Sequence, residues 1–150
     1  MKRGVARFVH ASAFAIGVTG LAWAWMAYLW DPGPEPEDPE QMLEWTGLHP
    51  SLPLVRDLHL LAAPLAVFAV GLIWTSHVAP RLRKPWARRR TGLALAILFA
   101  PMVVSGVLLQ TATSEEARTL WVWVHAISAT IWIVAYLVHQ LGSVYRRTKS

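Results

Sequence analysis

The stretch Thr119-Leu-Trp-Val-Trp-Val-His-Ala-Ile-Ser-Ala-Thr-Ile-Trp-Ile-Val-Ala-Tyr-Leu-Val-His-Gln-Leu141 contains no Asp, Glu, Lys or Arg. A helical rise of 1.5 Å per residue carries it through a hydrocarbon core ~30 Å thick. It lacks the strict apolar–polar alternation of a barrel strand, which leaves the α-helix as its spanning form. Three more apolar runs, at about 8–30, 54–79 and 93–111, meet the same length requirement. The expected fold is all-α: an integral membrane four-helix bundle forming a single transmembrane domain over residues 1–150. Pro64 and Pro101 fall inside spans two and three and are expected to bend them. Composition agrees, with 55% apolar and only 15% charged residues against about a quarter charged in ordinary soluble chains. Nine tryptophans suit a protein with two water–lipid interfaces to anchor.

The charges sort by side. Lys2, Arg3 and Arg7 precede span one, and Arg81, Arg83, Lys84, Arg88, Arg89 and Arg90 fill or flank the basic inner loop 80–92. Arg146, Arg147 and Lys149 close the chain, so twelve of fourteen basic residues share one side. Arg56 and Arg118 lie on the other, beside all nine acidic residues. The positive-inside rule then places both termini in the cytoplasm, as an even number of spans requires. The basic excess reads as topology and lipid-headgroup contact, with no nucleic-acid partner.

Met1-Lys2-Arg3 followed by an apolar run and Ala22-Trp23-Ala24 has the outline of a cleavable leader. The run is too long for one and continues to Trp30, so the expectation is a retained first helix. The outer loop 31–53 is acidic and Pro-rich, and its first half is expected to be extended. Residues 39–45 are expected to form one or two helical turns ending at Gly47. His49-Pro50 reads as an exposed turn.

Five of the six histidines lie in or at the ends of spans, and ionisable groups at membrane depth are functional candidates by default. His125 and His139 are fourteen residues apart on span four. They differ by about 40° in direction and ~21 Å in height, one face at two depths. No single metal can bridge that gap, but two stacked cofactors fit it. Measured from the outer edge, His59 lies ~8 Å and His125 ~9 Å deep, while His10 and His139 both lie ~30 Å deep. His77, at ~35 Å, is the spare candidate for the inner level. Span three has no histidine and is expected to complete the bundle without ligating. Small residues beside the histidines (Ala13, Gly17 and Gly20; Ala62, Ala63 and Ala66; Ala129) allow close helix approach and equally leave room for a flat porphyrin. Neutral imidazole suits haem iron, and an iron closed by two imidazoles moves electrons instead of activating bound molecules. Arg56 either contacts a haem propionate or pairs with the adjacent Asp57.

The absence of cysteine excludes disulfides, cysteine-ligated clusters and c-type haem attachment. Every carboxylate falls at or outside the outer boundary, which weighs against a proton or metal transporter. No nucleophile–base pair or phosphate loop indicates a self-contained enzyme.

A histidine near the start of span one, one early in span two, none in span three and a His-x13-His pair in span four resembles the bacterial di-haem cytochrome b superfamily. That group includes the membrane subunits of formate dehydrogenase and nickel–iron hydrogenase. The resemblance rests on Arg7-Phe8-Val9-His10, His59, Val124-His125 and Val138-His139-Gln140. It implies two haems b, one held by His10 with His139 and one by His59 with His125. It further implies electron transfer between a quinone pool and an extracytoplasmic redox subunit, in the bacterial cytoplasmic membrane. His77 has no role in that pattern, and the loops are shorter than in many relatives. The alternative is a cofactor-free structural subunit of a larger membrane complex, its histidines bonding helix to helix.

Overall fold

A computed structural model of the chain describes residues 3–82 and 90–147, the last five as backbone only. Lys2, Lys149, the 83–89 part of the basic loop and the Arg146 and Arg147 side chains lie outside the described residues. The described residues hold helices and no strand: α1 (Arg3–Tyr28), α2 (Pro39–Glu44), α3 (Leu52–Ile73), a π-helical turn (Trp74–Val78), α4 (Ala79–Leu82), α5 (Arg90–Thr111) and α6 (Glu115–Arg147). Four helical stretches are long and apolar enough to cross a membrane: Arg3–Tyr28, Leu52–Leu82, Arg90–Thr111 and one beginning at Glu115.

The last helix begins before its apolar run because that end is capped. α6 starts at Glu115, where the Ser114 hydroxyl accepts the Ala117 N–H at 3.2 Å. Glu115 and Glu116 stand at the positive end of the helix dipole. The expected turns in the outer loop are present as α2. The Asp38 carboxylate accepts the Glu40 N–H at 3.1 Å, and Pro39 occupies the first turn, where its missing N–H costs nothing. Past α2 the chain turns at Gly47 (φ +63°), where a Cβ would stand 3.2 Å from the Trp45 ring.

Span two departs from a plain α-helix at Trp74–Val78, where the Ala79 N–H reaches back to the Trp74 carbonyl. This i→i+5 bond takes an extra residue into the turn and shifts the register beyond it. His77 lies within this turn, so its direction from the helix axis is set by the π-helical geometry and not by a constant α-helical period. Pro64 and Pro101 are both accommodated within helices.

The chain divides into two compact units, Met1–Leu72 and Ile73–Ser150. In the first, Phe8 of α1 meets Phe68 of α3 edge-on, ring centroids 6.2 Å apart. In the second, the three residues 112–114 join α5 to α6, which pack closely against each other. Small side chains are inside and large apolar ones outside. The buried residues include Ser12, Ala62, Ala69 and Ser128, with Ser105 wholly enclosed, whereas Phe14, Leu61, Ile97 and Trp123 stand more than half exposed. That inversion is the packing rule for helices whose outer surface is solvated by lipid tails and whose contacts need close backbone approach.

Enlarging an enclosed small residue should therefore cost more than trimming an outward large one. Ala69→Leu is expected to destabilise by about 1–3 kcal/mol through overpacking. Leu61→Ala should leave thermal unfolding of the detergent-solubilised protein nearly unchanged.

Candidate functional site

Three of the span histidines rest on neighbouring helices in the same way. In the first unit, His59 of α3 places Nδ1 3.1 Å from Thr19 Oγ1 of α1. The Thr19 hydroxyl sends its own proton to the Ala15 carbonyl at 2.7 Å, so its oxygen receives the His59 Nδ1–H. The ring lies over Gly20, where a Cβ would stand 3.0 Å from His59 Cε1. Trp23, one turn along α1, meets the ring edge-on at a centroid distance of 5.6 Å.

In the second unit, His125 of α6 brings Nδ1 to 3.0 Å from the Met102 carbonyl and 3.2 Å from Ser105 Oγ, both on α5. A carbonyl oxygen only accepts, so Nδ1 carries the proton. The Ser105 hydroxyl donates within α5 to the Pro101 carbonyl at 2.6 Å. Beneath the ring is Gly106, where a Cβ would stand 3.2 Å from Cε1. His139 repeats the arrangement on the same pair of helices, with Nδ1 3.0 Å from Thr91 Oγ1 and Cε1 3.9 Å from a Cβ built on Gly92.

Each imidazole thus sits on a hydroxyl residue followed by glycine: Thr19-Gly20, Ser105-Gly106 and Thr91-Gly92. The hydroxyl orients Nδ1, and the missing side chain of the glycine lets the ring lie against the neighbouring backbone. A neutral imidazole with its proton on Nδ1 carries its lone pair on Nε2, the form that binds a metal. His125 and His139 occupy one unbroken helix, so fourteen residues set them ~21 Å apart along it. Thr91 and Ser105 are separated by the same fourteen residues on α5.

The remaining expected site residues are placed differently. His10 is exposed on α1. His77 is half-buried in the π-helical turn. Arg56 forms an ion pair with Asp57 at 3.1 Å, both side chains more than half exposed. His49, expected as an exposed turn, is half-buried. It is bracketed edge-on by Trp25 and Trp30 at 5.7 and 5.1 Å, and its Nδ1 accepts the Ser51 N–H. Among the described residues no three His, Cys, Asp or Glu side chains converge; axial ligation of haem asks for fewer.

Two expectations about the surroundings change. Span three, expected to complete the bundle, also seats both α6 histidines. Gly20, grouped with His10 by its place on α1, lies instead beneath His59. The sequence held a sign of this: a Ser/Thr-Gly dipeptide twice on α5, at the interval of the two histidines in span four. Comparison with known protein families, characterised proteins and solved structures gives no match.

The seats rank by tightness, which gives a graded expectation. Gly20→Ala and Gly106→Ala must push a ring aside by a few tenths of an ångström and should lower the melting temperature in detergent. Gly92→Ala, with a contact of ordinary length, should be neutral or stabilise by up to about 1 kcal/mol through helix propensity.

Proposed function

We propose that this protein is a di-haem b-type cytochrome of the cytoplasmic membrane, N-in and C-in, that conducts electrons between the quinone pool and an extracytoplasmic redox subunit. The observation that carries the reading is that the same nitrogen, Nδ1, meets the hydroxyl in all three seats. Interhelical adhesion alone, which earns each such bond about 0.6–2 kcal/mol, is served equally by either ring nitrogen. Ligation is not: the coordinating nitrogen must be unprotonated and its ring held, and a bond to the other N–H does both. The donor set therefore fits haem iron.

His59 and His125 would hold the outer haem, and His139 with His10 the inner one, with His77 the other candidate for that level. The pairing of levels comes from residue depth along the spans and from the cytochrome b resemblance. Bound there, haem supplies one-electron transfer without an open iron position. The chain's part is to fix the imidazoles, exclude water with apolar helices and keep the two levels ~21 Å apart along α6. It acts as an electron-transfer subunit of an oxidoreductase and not as an enzyme in isolation. The acidic outer loop, Asp31 to Glu44, would face the partner, and the basic side the lipid headgroups.

The deciding measurement is a dithionite-reduced minus oxidised spectrum with a pyridine haemochrome count, expected to give two haems b per chain. Single His59→Ala, His125→Ala and His139→Ala variants should each lose one. A His10→Ala variant that keeps both, with a His77→Ala variant that loses one, assigns the inner position to His77. A colourless protein purified from haem-replete cells overturns the reading in favour of the cofactor-free structural subunit.

A further inference from the structure

The helix without histidine stands in a definite relation to the helix with two. From Thr91 to Ser105 on α5 is fourteen residues, and from His125 to His139 on α6 is fourteen. The two helices run in opposite directions from a short connection, so Thr91 meets His139 and Ser105 meets His125. The match extends to the next position on each rung, where Gly92 and Gly106 underlie the rings. Thr19-Gly20 under His59 is the same device on a different helix pair.

We infer that Thr19 and Ser105 are positioning residues that set the electron-donating strength of His59 and His125. This rests on the cytochrome reading and adds to it a control on redox potential. An acceptor on Nδ1–H pulls the proton away from the ring and raises the basicity of Nε2. A more basic ligand favours the more highly charged ferric ion and lowers the potential. The Thr19 and Ser105 oxygens are strong acceptors because each hydroxyl has already given its proton to a carbonyl of its own helix. His125 has a second acceptor on the same N–H, the Met102 carbonyl. Removing the Ser105 hydroxyl therefore leaves part of the effect in place.

The test uses the full chain in detergent with two readouts. In the haem-free protein, ring nitrogen-15 shifts should report the Nδ1–H tautomer at His59 and His125, with Thr19→Val weakening that preference at His59. In the haem-loaded protein, Thr19→Val should keep its haem content and raise the potential of the haem bound through His59. The expected size is a few-fold to tenfold in the reduction equilibrium, where tenfold is about 59 mV for one electron. Ser105→Ala should move the His125 haem in the same direction by less, because the Met102 carbonyl remains. Thr19→Ser, which keeps the oxygen, should restore the wild-type value. Two haems with unchanged potentials in both variants, or Nε2–H tautomers in the wild type, overturn the inference. Nδ1–H tautomers in a protein that binds no haem refute the cytochrome reading and leave the orienting role of the seats intact.

Discussion

The structure depends on the problem of placing an imidazole among apolar helices. A ring N–H removed from water without an acceptor costs about 1–3 kcal/mol, and lipid tails supply no acceptor. His59 and His125 meet that demand from a neighbouring helix, each through Nδ1 and against a Thr or Ser oxygen, and the His139 Nδ1 is paired with the Thr91 hydroxyl by the same approach. The bond has to be short, so the helices must lie close, and glycine next to the hydroxyl residue permits it. Much of the small-residue interior follows, including a fully enclosed serine on α5.

This accounts for the role of α5, the least distinctive span by composition. It has no histidine and almost no charge, but it sets the orientation of two rings on α6. The serine that receives His125 is tied to its own helix by bonds to the Pro101 and Met102 carbonyls. The polar groups at this point thus form a connected network: Pro101 and Met102 carbonyls, Ser105 hydroxyl, His125 Nδ1–H. Networks of this kind hold side-chain geometry more firmly than isolated bonds. In the proposed cytochrome, such a fixed ring would lower the rearrangement that accompanies each change of charge.

The π-helical turn at Trp74–Val78 and the Trp25–His49–Trp30 cluster are the two features of local geometry that composition and spacing do not announce. A π turn arises where one extra residue is absorbed into a helix, and the apolar run around His77 reads the same with or without it. The Trp–His contacts join His49 of the 31–53 loop to the end of span one. They exist because the loop folds back over the end of α1, a matter of chain path and not of pattern.

Four membrane-length helices, the short helix after Asp38 and the even ~21 Å rung spacing on the last span were all legible in the linear sequence. Length, apolarity, capping and helical period are local properties, and local properties survive in one dimension. The sequence also marked which histidines to watch. What it could not decide was what stands next to each ring: that Gly20 belongs to His59 and not to His10, that α5 orients the α6 pair, and that Arg56 turns to Asp57. Those are contacts between residues 20 to 48 positions apart, apart from the adjacent ion pair. They depend on which faces two helices present when they pack, and that is settled only in three dimensions, where close backbone approach and satisfaction of each buried N–H must be achieved together.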